Sequence, residues 1–167
     1  MTPAEHLAQA LAGLGLGDDP EMGRTPELVA ALLAEFRPAP LAPLELLATG
    51  SHDLLVMRDL PFHSLCAHHL LPFFGTAHLA IRPDGRITGL GALTRMVEAL
   101  ARRPQLQERL AAELADALVS ALEPRSVGVR LVARQMCVEM RGARVAASFE
   151  VIALRGEPDA ALEAALR

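Results

Sequence analysis

The amino-acid sequence predicts an α+β fold, in which two helices pack on one face of an antiparallel sheet in the order ββααββ. Two segments with alternating apolar residues precede two segments with helical periodicity, and two more alternating segments follow. Turn signals rich in proline and glycine separate these segments. The 167 residues, 51% of them hydrophobic, are enough for one domain with a core of its own.

Two helices are predicted before this body. Residues 3–14 carry leucines at helical spacing, and a second helix begins at Thr25, a suitable N-cap residue followed by proline. That helix ends before Pro38, where a proline-rich stretch begins. We therefore expect a single domain with a helical part (1–37), a linker (38–50) and a body (51–156).

Apolar periodicity divides the body into its elements. Leucines recur every four residues from Leu106 to Leu122, which places them on one face of a helix. Val127, Val129 and Leu131 alternate with other residues, as a half-buried strand requires. The predicted strands are 52–60, 72–82, 127–139 and 144–154, the predicted helices are 91–103 and 105–122, and a loop at 63–71 follows the first strand.

Composition excludes several classes of protein. The net charge of −4 offers no global attraction to nucleic acid or to an anionic membrane. No apolar run approaches the length of a membrane span, and the N-terminus lacks the pattern of a secretory signal. Two distant cysteines do not make a disulfide framework, so we expect a cytoplasmic protein. All basic residues are arginine, so a phosphate site must use guanidinium and backbone N–H groups.

The two cysteines form the most informative pattern. Cys66 lies three residues before His69, and the second cysteine is Cys137. Two thiolates and one imidazole make a three-ligand zinc set with an open position, the kind of site that activates water for hydrolysis. The alternative interpretation is two buried structural cysteines and a polar loop histidine.

Four separated segments resemble the GTP cyclohydrolase I family. Residues 66–75 read CAHHLLPFFG, close to that family's Cys-Glu-His-His and Pro-Phe-x-Gly signature. Residues 102–110, 136–142 and 25–29 resemble further motifs of the family in the same order along the chain. The resemblance implies the tunnelling fold, with ββααββ subunits assembled into a toroidal homodecamer whose active sites lie between subunits. A small sheet with exposed edge strands has a physical reason to associate with further copies into a closed ring.

The resemblance implies a metal site and a proton-transfer group. Cys66, His69 and Cys137 match the zinc ligands of the family. His68 matches its catalytic histidine, which would pass a proton to a purine ring nitrogen, since imidazole titrates near neutral pH. The alternative role for His68 is that of a solvated loop residue or a partner of a metal ligand.

The resemblance also implies the substrate contacts. Gln107 and Glu108 match the pair that holds guanine, where a carboxylate is complementary to the base N–H groups. Arg95 and Arg141 match phosphate-binding positions, and guanidinium binds phosphate through paired hydrogen bonds. The alternative for each of these four residues is a solvated surface position.

Several residues depart from the family pattern. Gln135 stands where the family has a second catalytic histidine, and glutamine cannot exchange a proton near neutral pH. Gly91 and Ala92 replace the Ser-Lys of a phosphate-binding element. His63 or His78, in this chain or in a neighbouring subunit, could replace the missing histidine.

The resulting functional prediction is zinc-dependent hydrolysis at the imidazole carbon of GTP, with ring opening and formate release toward dihydroneopterin triphosphate. Three alternatives remain open: a partial reaction, action on another guanine-type purine, or a non-catalytic zinc-containing subunit that binds purines. The reductase branch of the tunnelling fold is disfavoured because it needs a free catalytic thiol, whereas both cysteines resemble zinc ligands. The expected partners are a purine nucleotide and further copies of the chain, with neither nucleic acid nor membrane.

Overall fold

A computed structural model describes residues 1–167, which form two compact units, Met1–Arg37 and Pro38–Arg167. The first unit contains helix α1 (Pro3–Gly13), a 3₁₀ turn (Pro20–Arg24) and helix α2 (Thr25–Glu35). A capping box joins Thr2 and Glu5 at the start of α1, so two of its otherwise unpaired N–H groups are satisfied. No side chain of this unit is buried.

The second unit is built on a five-stranded sheet. Its strand order is β5-β2-β3-β6-β7, and every pairing is antiparallel except the short parallel contact of β5 with β2. Its strands are β2 (Leu55–Cys66), β3 (Pro72–Arg82), β5 (Pro104–Gln105), β6 (Ser126–Gln135) and β7 (Ser148–Gly156). A separate two-stranded sheet pairs β1 (Leu46–Ala48) with β4 (Arg86–Thr88).

Helices α3 (Leu90–Ala101) and α4 (Gln107–Leu122) join β3 to β6 and contribute to the main core. The leucine face of α4 is buried together with inward-facing residues of β3 and β6, including Phe73 and Leu131. A short helix, α6 (Ala160–Ala165), buries Leu162 against Ala80 in a second, smaller cluster. The α+β prediction with the order ββααββ is confirmed.

The first long strand differs from its predicted limits. We predicted a strand over 52–60 and a loop over 63–71, but β2 runs from Leu55 to Cys66. Its register with β3 shifts between Met57 and Leu60, where Asp59 adopts a left-handed backbone conformation (φ 56°). This bulge interrupts the alternation of apolar residues, which explains why periodicity failed to show the second half of the strand.

The later strands also differ in their limits. The segment predicted as a strand over 127–139 leaves the sheet at Gln135, and Met136–Glu139 forms a helical turn, α5. Strand β7 begins at Ser148 rather than at 144. Strand β1 lies inside the predicted linker, and β4, β5 and α6 were not predicted because such short elements carry little periodicity. None of the helices combines the length and the apolar character that crossing a membrane requires.

Candidate metal centre and substrate pocket

Three potential metal ligands converge at one end of the sheet. Cys66 is the last residue of β2, and Cys137 lies on α5 directly after β6. Strand β3 separates β2 from β6, and its first residues pair with both, so the two cysteines emerge at the same edge. Donor atoms of Cys66, His69 and Cys137 all lie within 4.8 Å of one another.

The loop after β2 brings His69 back to Cys66. The N–H groups of His69 and Leu70 donate to the Cys66 carbonyl at 3.3 and 2.8 Å, and Leu70 has a left-handed backbone (φ 53°). Cys66 N–H donates to the Leu71 carbonyl at 2.8 Å, which closes the turn. As a result, the Cys66 Sγ and the His69 Nδ1 are 3.7 Å apart.

The donor set fits zinc. Ligand distances of about 2.3 Å for sulfur and 2.0–2.1 Å for nitrogen put two tetrahedral donors about 3.6 Å apart, close to the separation of Cys66 Sγ and His69 Nδ1. Both cysteines are free thiols. Burial raises the pKa of the Cys137 thiol, and the hydrogen bond with the neighbouring Cys66 sulfur and the repulsion between two thiolates raise it further. A divalent cation would remove that repulsion.

A pocket of about 290 Å³ opens beside the cysteines. Apolar walls come from residues that include Leu106, Phe149 and Val151. Phe149 and Val151 were not predicted, because alternation identifies their strand without indicating that its edge closes a pocket. The polar residues of the lining are His68, Gln105, Gln107, Glu108, Gln135 and Glu150.

Three of these polar side chains are already engaged within the protein. Gln105 donates to Glu113 and to the Leu100 carbonyl. Glu150 accepts from Arg130 at 2.7 Å, an interaction that lowers the pKa of its carboxyl. Gln107, which we predicted to hold the base, is buried and donates both amide N–H groups to backbone carbonyls. The remaining polar lining residues, with hydrogen-bonding capacity to spare, are His68, Glu108 and Gln135.

The two predicted phosphate-binding arginines lie in different places. Arg141 is exposed, and its Nη1 is 2.7 Å from the Nε2 of His69. Guanidinium can only donate, so this contact requires Nε2 to accept, and Nδ1, the nitrogen that faces Cys66, then carries the ring proton. A metal ion bound at Nδ1 would need that proton on Nε2, so Arg141 would have to release Nε2 when the ion binds. Arg95 is exposed on α3 and does not line the pocket.

His63 and His78, the two candidates to take over the role of the missing second histidine, do not line the pocket of this chain. His63 lies beside Phe62, Thr94 and Glu98 in a different cavity. His78 is buried on β3, where burial and nearby Arg130 lower its pKa. The proton-transfer groups of the pocket therefore include His68 but no second histidine from the same chain.

Two solved structures of other proteins align with the fold of this chain. The archaeosine synthase QueF-Like in its apo form aligns with a TM-score of 0.55 and 20% identity, over 65% of this chain and 99% of that chain. E. coli dihydroneopterin aldolase in complex with neopterin aligns with a TM-score of 0.50 and 19% identity, over 62% of this chain and 99% of that chain. The fold is the tunnelling fold that these structures share.

Sequence comparison defines the family. GTP cyclohydrolase 1 of Aquifex aeolicus is 44% identical over 148 residues, 85% of this chain and 80% of that protein. GTP cyclohydrolase 1 of Geobacillus kaustophilus is 45% identical over 151 residues, 84% of this chain and 80% of that protein. The family profile described as GTP cyclohydrolase I matches residues 4–164. The chain therefore belongs to the GTP cyclohydrolase I family, a family of hydrolases.

Proposed function

We propose that this protein is a zinc-dependent hydrolase that opens the imidazole ring of GTP and releases formate, toward dihydroneopterin triphosphate. One observation carries the proposal: the donor atoms of Cys66, His69 and Cys137 lie within 4.8 Å of one another, beside a pocket that also contains His68 and Glu108. GTP is proposed as the substrate because the relatives are named GTP cyclohydrolase 1.

Cys66, His69 and Cys137 would hold the zinc ion. When bound, zinc supplies Lewis-acid activation of water at the imidazole carbon of the purine. In the first hydrolysis the water oxygen bonds to that carbon, one carbon–nitrogen bond breaks, and the released nitrogen takes a proton. A second water then frees the carbon as formate.

His68 would move protons in these steps. Its side chain is exposed to the pocket and makes no hydrogen bond within the protein, so both ring nitrogens are available. Glu108 would bind the base, since its exposed carboxylate can accept the N–H groups of guanine. Any contact of Gln107 with the base would use its Oε1, because its N–H groups are committed to the protein.

Arg141 would bind the phosphates near the metal end of the pocket. Arg95 would do so only in an oligomer, since it does not line the pocket of its own chain. We propose a homo-oligomeric ring, supported by the free edge of β7 and the exposed side chains of Ile152 and Leu154 on it. Free thiols as metal ligands support a reducing compartment, the cytoplasm.

A second candidate is a partial reaction that stops at a ring-opened product. It is favoured by Gln135, a side chain in the pocket that cannot exchange protons near neutral pH. No arginine lines the pocket, which favours a guanine nucleoside without a triphosphate as a further alternative substrate.

The decisive experiment is mass spectrometry of the products that zinc-loaded protein forms from GTP, GDP, GMP and guanosine. The proposed function predicts formate and a pterin from GTP. Formate without a pterin supports the partial reaction, and Gln135→His should then increase pterin formation. No formate from any of the four compounds, with zinc bound, contradicts both candidates and supports a binding role.

A further inference from the structure

We propose that Gln135 contacts the imidazole side of the purine and that Gln107 is the positioning residue that fixes the orientation of the Gln135 carboxamide. This inference rests on the proposed substrate class. It assigns a role to a residue that departs from the family pattern, and it arises from a hydrogen-bond chain that no sequence motif reveals.

The chain begins at Gln107, the first residue of α4. Its side chain is only 3% exposed, and its Nε2 donates to the carbonyls of Leu131 and Phe149, each at 3.0 Å. Carbonyl oxygens can only accept hydrogen bonds, so the amide of Gln107 cannot be turned the other way. Its Oε1 must therefore face away from both carbonyls and act as an acceptor.

That acceptor sets the orientation of Gln135. The Nε2 of Gln135 donates to the Oε1 of Gln107 at 2.8 Å. If the Gln135 carboxamide were turned over, two acceptor oxygens would face each other. The second N–H and the Oε1 of Gln135 make no hydrogen bond within the protein, and neither atom is buried without a partner. They are available to a molecule in the pocket that Gln135 lines.

The position of Gln135 determines which part of the substrate it meets. It is the last residue of β6 and directly precedes α5, the helix that carries Cys137. Gln135 is therefore two residues from Cys137 along the chain and lines the same pocket as both cysteines, where the imidazole carbon has to be for hydrolysis. The ring nitrogen N7 is bonded to that carbon and carries a lone pair, so it is a suitable acceptor for the second N–H of Gln135.

Deletion of the acceptor atom from the ligand tests this contact. In 7-deaza-GTP a C–H group replaces N7, and the rest of the molecule is unchanged. We expect the full-length protein to bind GTP about five- to ten-fold more tightly than 7-deaza-GTP, the effect of one neutral hydrogen bond. Calorimetry on the metal-free protein gives this ratio without turnover.

Variants then identify the donor. Gln135→Met keeps the length of the side chain and should bring the ratio close to one, whereas Gln9→Met makes the same chemical change in the N-terminal unit and should leave it unchanged. Gln107→Met should lower the ratio in part, and adding it to Gln135→Met should lower it no further, because both act on one contact. Should Gln107→Met fail to fold, Gln135→Met still decides the assignment.

The outcomes separate this inference from the proposed function. An unchanged ratio in folded Gln135→Met, or a ratio near one in the wild-type protein, overturns the assignment even if formate is released. No measurable binding of GTP also overturns it. A ratio that depends on Gln135 in a protein that releases no formate upholds the assignment and refutes the hydrolase.

Discussion

The Sγ of Cys66 lies 3.7 Å from the Nδ1 of His69, and Cys137 completes a set of donors within 4.8 Å. Strands β2 and β6 both pair with β3 and carry the two cysteines to one edge of the sheet, so strand pairing contributes to bringing these donors together. Loss of one of these donors should therefore affect metal binding more than folding.

Cys137→Ser should therefore lower the zinc content from about one ion per chain to a small fraction, because serine is a poor zinc ligand. Elemental analysis after dialysis against a weak chelator measures this loss, and circular dichroism reports whether the fold is retained. His63→Ala removes an exposed histidine outside the donor set and serves as the control. Full zinc content in Cys137→Ser would contradict the site.

His68→Gln should separate proton transfer from metal binding. His68 is not part of the donor set, so zinc content should stay unchanged, while formate release should fall about 10²- to 10⁴-fold, the usual effect of losing a general acid or base. His6→Gln, in α1, is the matched control. Equal formate release by wild-type protein and His68→Gln would remove His68 from the mechanism.

Asp159 should make the stability of the folded protein depend on pH. Its carboxylate pairs with Arg82 and caps α6 by accepting from the N–H groups of Ala161 and Leu162. The Arg82 guanidinium, followed by the Leu162 N–H, holds the pKa of the Asp159 carboxyl well below its usual range. This contribution to stability is complete above about pH 4, the usual range of the unfolded carboxyl, and is lost as the pH falls through the lower pKa of the folded state.

Two substitutions resolve the roles of Asp159. Asp159→Ala should reduce the free energy of unfolding by about 1–2 kcal/mol at pH 7, because it removes a helix cap as well as an ion pair. Asp159→Asn keeps a good cap residue and should cost less. Urea unfolding at pH 7 and pH 3 measures both effects, and the difference between wild type and Asp159→Asn should shrink at pH 3. A constant difference would show that the charge of Asp159 contributes nothing.

Gly75 should tolerate no side chain. A Cβ there would overlap the Val132 carbonyl oxygen and come within 2.7 Å of the Ala133 Cα, both backbone atoms of the paired strand β6. Gly75→Ala should destabilise the protein by about 3 kcal/mol and reduce zinc binding, since β3 holds the cysteine-bearing strands in place. In Gly128→Ala the new atom meets the tips of Leu162 and Leu166, which can move, so we expect a loss of only about 1 kcal/mol. Thermal unfolding compares the two, and equal losses would contradict the explanation.

Much of the architecture was predictable because it follows from apolar periodicity. The stripe from Leu110 to Leu122 on α4 and the alternation of Val127, Val129 and Leu131 on β6 describe burial directly, and all these side chains are buried. The cysteine and histidine pattern indicated zinc because two thiolates and one imidazole are a common zinc ligand set that leaves one position open. The ends of strands were predicted poorly where the backbone is irregular, as the bulge at Asp59 in β2 illustrates.

The sequence by itself determined the fold class, the family and which residues are candidate metal donors, since these depend on residue type and local spacing. Only the tertiary structure decided which polar groups of the pocket remain available to a substrate. Gln107 and Glu108 are neighbours in the chain, yet the first is committed to the carbonyls of Leu131 and Phe149 and the second is exposed. Hydrogen-bond partners are assigned by packing between distant segments, and no local pattern of residues carries that information.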